Sequence, residues 1–227
     1  MSTLLLRLAA PMQSWGVDGR YDRRGTERAP TKSGAVGLVA AALGRRRTDA
    51  IDDLAALRFG VRIDREGSLL HDYHTAKSAK SAYVTHRYYL SDAVFLVGLE
   101  GDDVLLNEIQ QALGRPAFPL FLGRRSCPPE GRISLGMRAL PLLDALRREP
   151  PIAEARQYSR EPRPVRLRIL VDAEAVDDAR YACDKPVSFD QRRREYGFRR
   201  VRDIDVSGER RDAEPSTEHD PISELEG

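Results

Sequence analysis

The sequence predicts an α+β protein built around a ferredoxin-like domain. Short apolar runs with the period of strands alternate with two segments that have the period of helices. These segments follow the order strand, helix, strand, strand, helix, strand, which is the ferredoxin-like order. A further alternating run, residues 165–171, predicts a strand in a small C-terminal β-rich region.

The first strand, loop and helix follow from the apolar residues near the N-terminus. Residues 3–9 predict a short buried strand, and residues 11–32 predict a long polar loop. Loops of this length inside compact domains are commonly functional. Residues 33–43 predict a helix composed almost entirely of Gly, Ala, Val and Leu, with Ser33 as its N-cap.

The middle of the chain predicts a projecting β-hairpin. Residues 52–57 predict a helical turn, and residues 59–65 predict a strand. The strands expected over residues 68–74 and 88–99 enclose the polar residues 75–87, which is the pattern of a protruding hairpin.

The remaining segments predict an amphipathic helix over residues 102–113 and a proline-rich linker over residues 141–164. We therefore expect a domain over residues 1–140 and a C-terminal subdomain over residues 141–204. Residues 205–227 are expected to form an acidic, disordered tail.

Charge separates the body of the chain from this tail. Residues 1–202 carry 35 basic and 26 acidic residues, whereas the segment after them carries nine acidic and two basic residues. A basic body favours a polyanionic partner such as nucleic acid. The arginine-rich segment 192–202, which contains Tyr196 and Phe198, is either part of such a surface or an ordinary solvated strand.

Several other classes of protein are disfavoured. No window approaches the ~20 apolar residues of a membrane helix, and the N-terminus does not resemble a signal peptide, so we expect a cytoplasmic protein. Cys127 and Cys183 are expected to be reduced thiols. The CxxC, HExxH and phosphate-loop spacings do not occur, so we expect no metal, no cofactor and no nucleotide hydrolase.

Two segments combine hydrogen-bond donors with positions where a backbone can approach a phosphate. The first runs from Met12 to Gly34 and opens a helix, whose N-terminal N–H groups attract anions. The second surrounds Gly123, and its alternative is an ordinary basic turn. The candidate residues of the first segment are Gln13, Ser14, Trp15, Arg24, Thr31, Lys32, Ser33 and Gly34. Those of the second are Gly123, Arg124, Arg125 and Ser126.

The hairpin allows two chemistries. Its basic residues could follow a nucleic-acid backbone while an aromatic side chain stacks on a base. Alternatively, His74 and Tyr73, with Lys77 and His86 nearby, could cleave RNA without a metal ion, through acid–base catalysis by histidine and stabilisation of the charged phosphorane by lysine. Both hypotheses have the same alternative, in which these residues only stabilise the hairpin. The candidate binding residues are His74, Lys77, Lys80, Tyr83 and Arg87.

Five blocks in the correct order resemble the CasD family of Cascade subunits, which is the fifth Cas family of subtype I-E CRISPR systems. The glycine-and-alanine helix and the turn around Gly123 are two of the five. The blocks are Leu4–Gly16, Pro30–Gly44, Asp72–Thr75, Tyr89–Ala93 and Leu122–Pro128.

The resemblance implies a fold of the RAMP type, with a glycine-rich loop and a thumb hairpin over about residues 75–87. It implies a non-catalytic subunit that binds the 5′ handle of CRISPR RNA and helps to assemble the antiviral Cascade complex. It implies handle contacts at Gln13–Trp15, Thr31–Gly34 and Gly123–Ser126, and base displacement by Tyr83 and Val84.

The resemblance also implies partners. They are a backbone subunit of the seventh Cas family, the large subunit and target DNA near the guide. The alternative function is that of a metal-independent endoribonuclease that processes precursor CRISPR RNA.

Overall fold

The computed structural model describes residues 1–16, 19–20, 22–77, 82–153, 167–174 and 178–206. Strands predominate in these residues, so the fold is a mixed α/β fold that consists mostly of strands. In chain order the elements are β1 (Ser2–Ala9), β2 (Met12–Gln13), β3 (Gly19–Arg20), β4 (Arg23–Arg24), α1 (Lys32–Ala42), α2 (Asp52–Ala56), β5 (Arg58–Arg65), β6 (Ser68–Lys77), β7 (Ala82–Ser91), β8 (Val94–Gly101), α3 (Asp103–Gly114), β9 (Ser134–Arg138), α4 (Leu142–Arg148), β10 (Arg168–Asp172), β11 (Arg180–Ser188) and β12 (Glu195–Asp205).

Seven strands form one antiparallel sheet in the spatial order β11-β12-β10-β5-β8-β1-β9. β1 lies between β8 and β9, and its residues Leu4, Leu5 and Leu6 are fully buried. Both faces of the sheet are covered at this strand, which explains why its sequence is continuously apolar rather than alternating. The predicted strand over residues 3–9 is confirmed.

Each face of this sheet supports its own apolar core. Leu4 and Leu6 pack with Phe59 and with side chains of α1 and α3 on one face. Leu5 and Leu96 pack with α4 on the opposite face. Helices that lie on opposite faces therefore present separate surfaces, and the candidate site described below lies on the α1 side.

α1 begins one residue earlier than predicted. Its N-cap is Thr31, whose Oγ1 accepts a hydrogen bond from the backbone N–H of Gly34 at 3.1 Å. The prediction of Ser33 as the N-cap is therefore wrong, because Ser33 already lies within the helix. Gly44, with a φ of 77°, ends the helix in the left-handed conformation that glycine adopts readily.

β6 and β7 form the hairpin that the sequence predicts, and their pairing extends well beyond residues 75–87. The register runs from Ser68 opposite Ser91 to Lys77 opposite Ala82. β2 pairs with β7 near the base of the hairpin, and β4 pairs with β7 in parallel. The segment that joins β6 to β7, which includes the candidate Lys80, lies outside the described residues.

Two predictions drawn from local patterns are wrong. The single strand expected over residues 88–99 is divided at Asp92, whose φ of 57° redirects the chain from β7 into β8 of the other sheet. The linker expected over residues 141–164 contains α4, because Leu142 and Leu146 bury their side chains against the sheet. Proline content alone therefore misled the prediction there.

The C-terminal strands extend the main sheet. β10 pairs with both β5 and β12, and β11 pairs with β12. The strand predicted over residues 165–171 corresponds to β10. Residues 207–227, which contain most of the predicted acidic tail, lie outside the described part of the chain. Within that part, no helix is both long enough and apolar enough to cross a membrane.

Arg62 on β5 fixes α4 to the sheet. Its side chain is fully buried and contacts the carboxylate of Asp64 at 2.7 and 2.9 Å. The other guanidinium N–H groups donate to the carbonyl oxygens of Leu146, Glu149 and Pro150. All five guanidinium donors are therefore satisfied, which is what a buried arginine requires.

We expect Arg62→Ala to lower the free energy of unfolding by about 3–5 kcal/mol, because it leaves a buried carboxylate and three carbonyl groups without their donor. The matched control is Arg168→Ala, since the Arg168–Asp203 pair is largely exposed. It should cost about 0–1 kcal/mol. Urea unfolding measures both values, and equal losses would contradict this account.

Candidate nucleic-acid interface

A cleft of about 920 Å³ opens between α1, the loop that precedes it and the turn around Gly123. We call it the basic cleft. None of the described residues that line it is Asp or Glu. Its arginines are Arg45, Arg46, Arg47, Arg125 and Arg194. Its aromatic residues are Trp15, Phe118, Phe121, Phe189 and Tyr196.

The arginines of the basic cleft differ in their availability. Arg45 forms an ion pair with Asp53, which neutralises part of its charge. Arg46, Arg47 and Arg125 are exposed. Arg194 is also exposed and lies over the ring of Tyr196, with its guanidinium carbon 5.3 Å from the ring centroid. The cleft therefore combines exposed positive charge with aromatic surface.

Gly123 joins the first loop to the glycine turn through a close backbone approach. Its φ is 84°, in the left-handed region that favours glycine. A Cβ atom at this position would lie 1.6 Å from the carbonyl oxygen of Ser14. The backbone N–H of Ser14 donates to the carbonyl of Leu122 at 3.1 Å. Only glycine allows these two segments to form one wall of the cleft.

The segment Gln13–Trp15 supports this wall from within. Gln13 is fully buried, and its Nε2 donates to the carbonyl of Ala93 at 2.7 Å. Its Oε1 accepts from the indole N–H of Trp15 at 3.1 Å. The Ser14 hydroxyl donates to the carbonyl of Tyr88. The expectation that these side chains offer free donors is therefore corrected: they satisfy one another and the backbone.

The start of α1 is also occupied from within the chain. The backbone N–H of Lys32 donates to Asp184 Oδ2 at 2.8 Å, and Lys32 Nζ contacts Asp172 Oδ2 at 3.1 Å. Arg199 bridges the same two carboxylates at 2.6 and 2.7 Å. The expectation of an open anion site at this helix start is therefore corrected, since the donors of Lys32 contact carboxylates of β10 and β11 within the chain.

Burial lowers the pKa of Lys32 below its usual value, although the Asp172 carboxylate acts in the opposite direction. Thr31 and Ser33 are largely buried but still line the basic cleft, together with Gly34. At Gly34 a Cβ would lie 2.8 Å from the ring of Trp15, so this position also requires close packing. These residues shape the floor of the cleft.

The side chains of Arg124 and Arg125 project towards different parts of the molecule. Arg125 is exposed and lines the cleft. Arg124 turns towards the base of the hairpin, where it donates to the carbonyls of Arg24 and Gly25 at 2.9 and 3.2 Å. Its guanidinium carbon lies 4.6 Å from the ring centroid of Tyr89.

Tyr89 lies among several donors at the base of the hairpin. Burial tends to raise its pKa, but hydrogen bonding and positive charge from Arg124, with Ser126 and Arg87, outweigh burial and lower the pKa. Arg124 Nη1 and Arg87 Nε are buried and have no hydrogen-bond partner among the described residues. Arg87, Arg124 and Ser126 therefore cluster away from the basic cleft.

The candidate residues of the hairpin lie on two faces. His86 is paired with Tyr73, and their rings meet edge to face. Neighbouring residues of a strand project to opposite faces, so His74 lies on the face opposite His86. Lys77, His74 and Tyr83 are exposed. Tyr83 and Val84 lie on β7, where they pair with Ala76 and Thr75. The displacement of a base by these two residues stays a prediction.

One hairpin face carries a ladder of stacked rings. His71 stacks on Tyr88 and on His86, with ring centroids 4.7 and 5.1 Å apart. His71 Nε2 lies 2.9 Å from His86 Nδ1. Arg23 lies over Tyr88, while the candidate Arg24 is exposed on the same short strand. In the described ranges, no group of three or more His, Cys, Asp or Glu side chains could hold a metal ion.

The family described as CRISPR-associated protein (Cas_Cas5) matches residues 3–202. The chain belongs to this CRISPR-associated family. The CRISPR system Cascade subunit CasD of Escherichia coli (strain K12) is 39% identical over 159 residues, which cover 60% of this chain and 70% of that protein. The resemblance seen in the sequence is therefore confirmed, and the chain is a homologue of that Cascade subunit.

Two solved structures agree with this family assignment. A structure described as "Crystal structure of Cas protein" has 42% sequence identity and a TM-score of 0.72, and covers 90% of this chain and 94% of its own. One described as "CRISPR RNA-guided surveillance complex" has 33% identity and a TM-score of 0.75, and covers 89% of both chains.

Sequence reasoning missed several cleft residues of this CRISPR-associated chain. The sequence analysis names none of Arg45, Arg46, Arg47, Phe118 and Phe189 as a candidate, although all five line the cleft. The sequence does contain one usable signal: three consecutive arginines follow Gly44, the glycine that ends the predicted helix. Charged residues directly after a helix end are exposed, and the helix fixes their position.

We expect Gly123→Ala to disrupt the wall of the basic cleft, because its Cβ would overlap the Ser14 carbonyl and its φ is strained for alanine. The strain alone costs about 1–2 kcal/mol, and the overlap adds to it. The control is Gly114→Ala, where a Cβ meets nothing within 4 Å. Urea unfolding should show a clear loss for the first variant and none for the second. A Gly123→Ala protein with unchanged stability would contradict the close approach.

Proposed function

We propose that this chain is a non-catalytic Cascade subunit of subtype I-E that holds the 5′ handle of CRISPR RNA in the basic cleft. One observation carries the proposal: the described lining of the cleft contains five arginines, five aromatic residues and no carboxylate. The Escherichia coli relative is a Cascade subunit, and one structural relative is an RNA-guided surveillance complex.

The chemistry of the cleft suits a single strand of ribonucleotides. Guanidinium groups can make paired hydrogen bonds to phosphate oxygens. Aromatic faces can stack on unpaired bases, with a contribution of about 1–3 kcal/mol per base. Phe118 is 45% exposed, so its ring is accessible for such stacking. Gln13, Trp15, Thr31, Ser33, Gly34 and Gly123 would form the frame, while Arg125 and the arginines after α1 contact the strand.

Residues 1–140 form, in this proposal, a ferredoxin-like domain of the RAMP type. Across the sheet its four strands lie in the order β5-β8-β1-β9, which are the second, third, first and fourth of these strands in sequence. α1 connects β1 to β5 through α2, and α3 connects β8 to β9. That order is what the ferredoxin-like pattern requires. Residues 141–204 are proposed as a C-terminal subdomain that extends the sheet.

The hairpin formed by β6 and β7 is proposed as the thumb. Lys77, Lys80, Tyr83 and Arg87, with His74 and Arg24, would then lie along guide RNA and the adjacent target DNA. The proposed protein neighbours are the backbone subunit of the seventh Cas family and the large subunit. The complex would act in the cytoplasm.

The alternative, a metal-independent endoribonuclease, needs a general base close to a second acid–base group. His74 and His86 project from opposite faces of the hairpin, which separates the set expected for catalysis. The stacked His71–His86 pair is partly accessible, so cleavage deserves a direct test.

We expect the chain to bind an RNA with a repeat-derived 5′ handle at least tenfold more tightly than a scrambled RNA of equal length. Affinity should fall steeply between 50 and 200 mM salt, because arginine–phosphate contacts release counterions. For six contacts to a single strand the loss is a factor of about 300. Fluorescence anisotropy measures both effects. Equal affinity for the two RNAs would indicate a generic RNA-binding module instead.

Arg47→Glu should weaken this binding by about tenfold, equivalent to about 1.4 kcal/mol, since it reverses a charge at the cleft. Arg147→Glu is the matched control, because Arg147 is also exposed near a helix end but lies on α4, on the opposite face of the sheet. An equal loss in both variants would show that net charge, rather than the cleft, determines binding.

We expect no cleavage of a repeat-containing RNA by the purified chain in EDTA, with tight binding retained. Gel analysis of end-labelled RNA detects any product. Site-specific cleavage that is abolished by His74→Ala or His86→Ala, but retained in a Lys185→Ala control, would replace the proposal with the endoribonuclease alternative.

A further inference from the structure

The base of the hairpin carries a cluster of hydrogen-bond donors that the basic cleft does not use. We call this cluster the hairpin-base site, and its residues are Arg24, Arg87, Tyr89, Arg124 and Ser126. We infer that it binds a single phosphate group, separately from the cleft. Binding of the phosphate group itself is independent of the proposed function, whereas its assignment to an RNA strand rests on that function.

Strand pairing places two arginines of the site side by side. Arg24 on β4 is paired with Arg87 on β7, and paired residues of neighbouring strands project to the same face. Like charges next to each other in a sheet are destabilising. Within the described ranges, neither arginine forms an ion pair with a carboxylate. An anion bound between them would remove this repulsion.

Arg124 adds a third positive charge from the glycine turn. Its Nη2 donates to the carbonyls of Arg24 and Gly25 at 2.9 and 3.2 Å, which holds the guanidinium beside β4. Arg124 Nη1 and Arg87 Nε are buried and lack a hydrogen-bond partner among the described residues. Buried donors without an acceptor cost free energy. Both side chains are half-buried, so a small rotation brings these donors to an incoming phosphate oxygen.

Two hydroxyl groups lie among the same charges. The guanidinium carbon of Arg124 lies 4.6 Å from the ring centroid of Tyr89. Burial tends to raise the pKa of Tyr89, but hydrogen bonding and charge from Arg124, with Ser126 and Arg87, lower the pKa overall. The direction of this change indicates a positive potential at the Tyr89 hydroxyl, which is what an oxyanion requires. The hydroxyls of Tyr89 and Ser126 are further donors to phosphate oxygens.

One carboxylate faces the site from the neighbouring strand. Asp72 on β6 lies opposite Arg87 in the register, and no ion pair joins the two residues. Three guanidinium groups against this one carboxylate leave two positive charges. A phosphate monoester or diester therefore has the right sign of charge and the right acceptors for the site.

The position of the site indicates where the phosphate comes from. Arg124 belongs to the hairpin-base site, whereas Arg125, the next residue, lines the basic cleft. The glycine turn thus has one arginine on each side, and an RNA strand that leaves the cleft across this turn meets both. We assign the bound phosphate to the RNA backbone, with free phosphate as the competing source.

Inorganic phosphate tests the site without RNA. At about ten times its dissociation constant, phosphate should raise the Tm of the full chain by about 3–5 °C relative to chloride at equal ionic strength. Arg87→Gln and Tyr89→Phe should each remove most of this shift. Arg47→Gln in the cleft and Arg147→Gln on α4 are the controls and should retain it. A shift that Arg47→Gln removes and Arg87→Gln retains would place the phosphate in the cleft and overturn the inference.

A second experiment distinguishes the two sources of phosphate. Handle RNA with one uncharged methylphosphonate at successive positions is titrated by fluorescence anisotropy. If a backbone phosphate occupies the site, the modification at one position should weaken binding about tenfold in the unsubstituted chain. The same modification should have little effect in Arg87→Gln. If no position depends on Arg87 while inorganic phosphate still binds, the site takes free phosphate and the assignment to RNA is wrong.

The outcomes also separate this inference from the proposed function. If phosphate gives no shift and no RNA position depends on Arg87, the hairpin-base site is wrong, while a preference for handle RNA leaves the proposed function standing. If the phosphate shift is present but the chain does not distinguish handle from scrambled RNA, the proposed function is wrong and the site stands.

Discussion

The contact between the Ser14 carbonyl and Gly123 is the constraint on which the basic cleft depends. Two segments more than 100 residues apart approach so closely that no Cβ fits between them. The Ser14–Leu122 hydrogen bond fixes their register. Because the first segment also leads into α1, this contact sets where the helix lies relative to the arginine of the turn, Arg125.

A buried ionic network closes the other side of the cleft. Asp172 and Asp184 each bind Arg199 and also hold Lys32 at the start of α1. The same strands lead to Phe189 and Tyr196, which line the cleft. The C-terminal region is therefore part of the site, since it supplies aromatic surface and satisfies the helix start that otherwise would attract an anion.

The sequence was informative where the signal is local. The apolar run of β1, the small residues of α1 and the glycine of the turn each identified their element, and the three candidate segments do meet. Lys32 and Gln13 show what local patterns miss. Their donors resemble ligand-binding groups, but acceptors at Asp172 and Ala93 lie 140 and 80 residues away and satisfy them. Periodicity carries no information about such long-range pairs, nor about α4, whose burial depends on the sheet beneath it.

Zero-length photocrosslinking tests most directly whether RNA lies in the basic cleft, as proposed. Handle RNA with 4-thiouridine at successive positions would be crosslinked to the chain and mapped by mass spectrometry. Crosslinks at Phe118, Phe121, Phe189 or Tyr196 are the predicted result. Efficient crosslinks confined to the α4 face, with none in the cleft, would contradict the account.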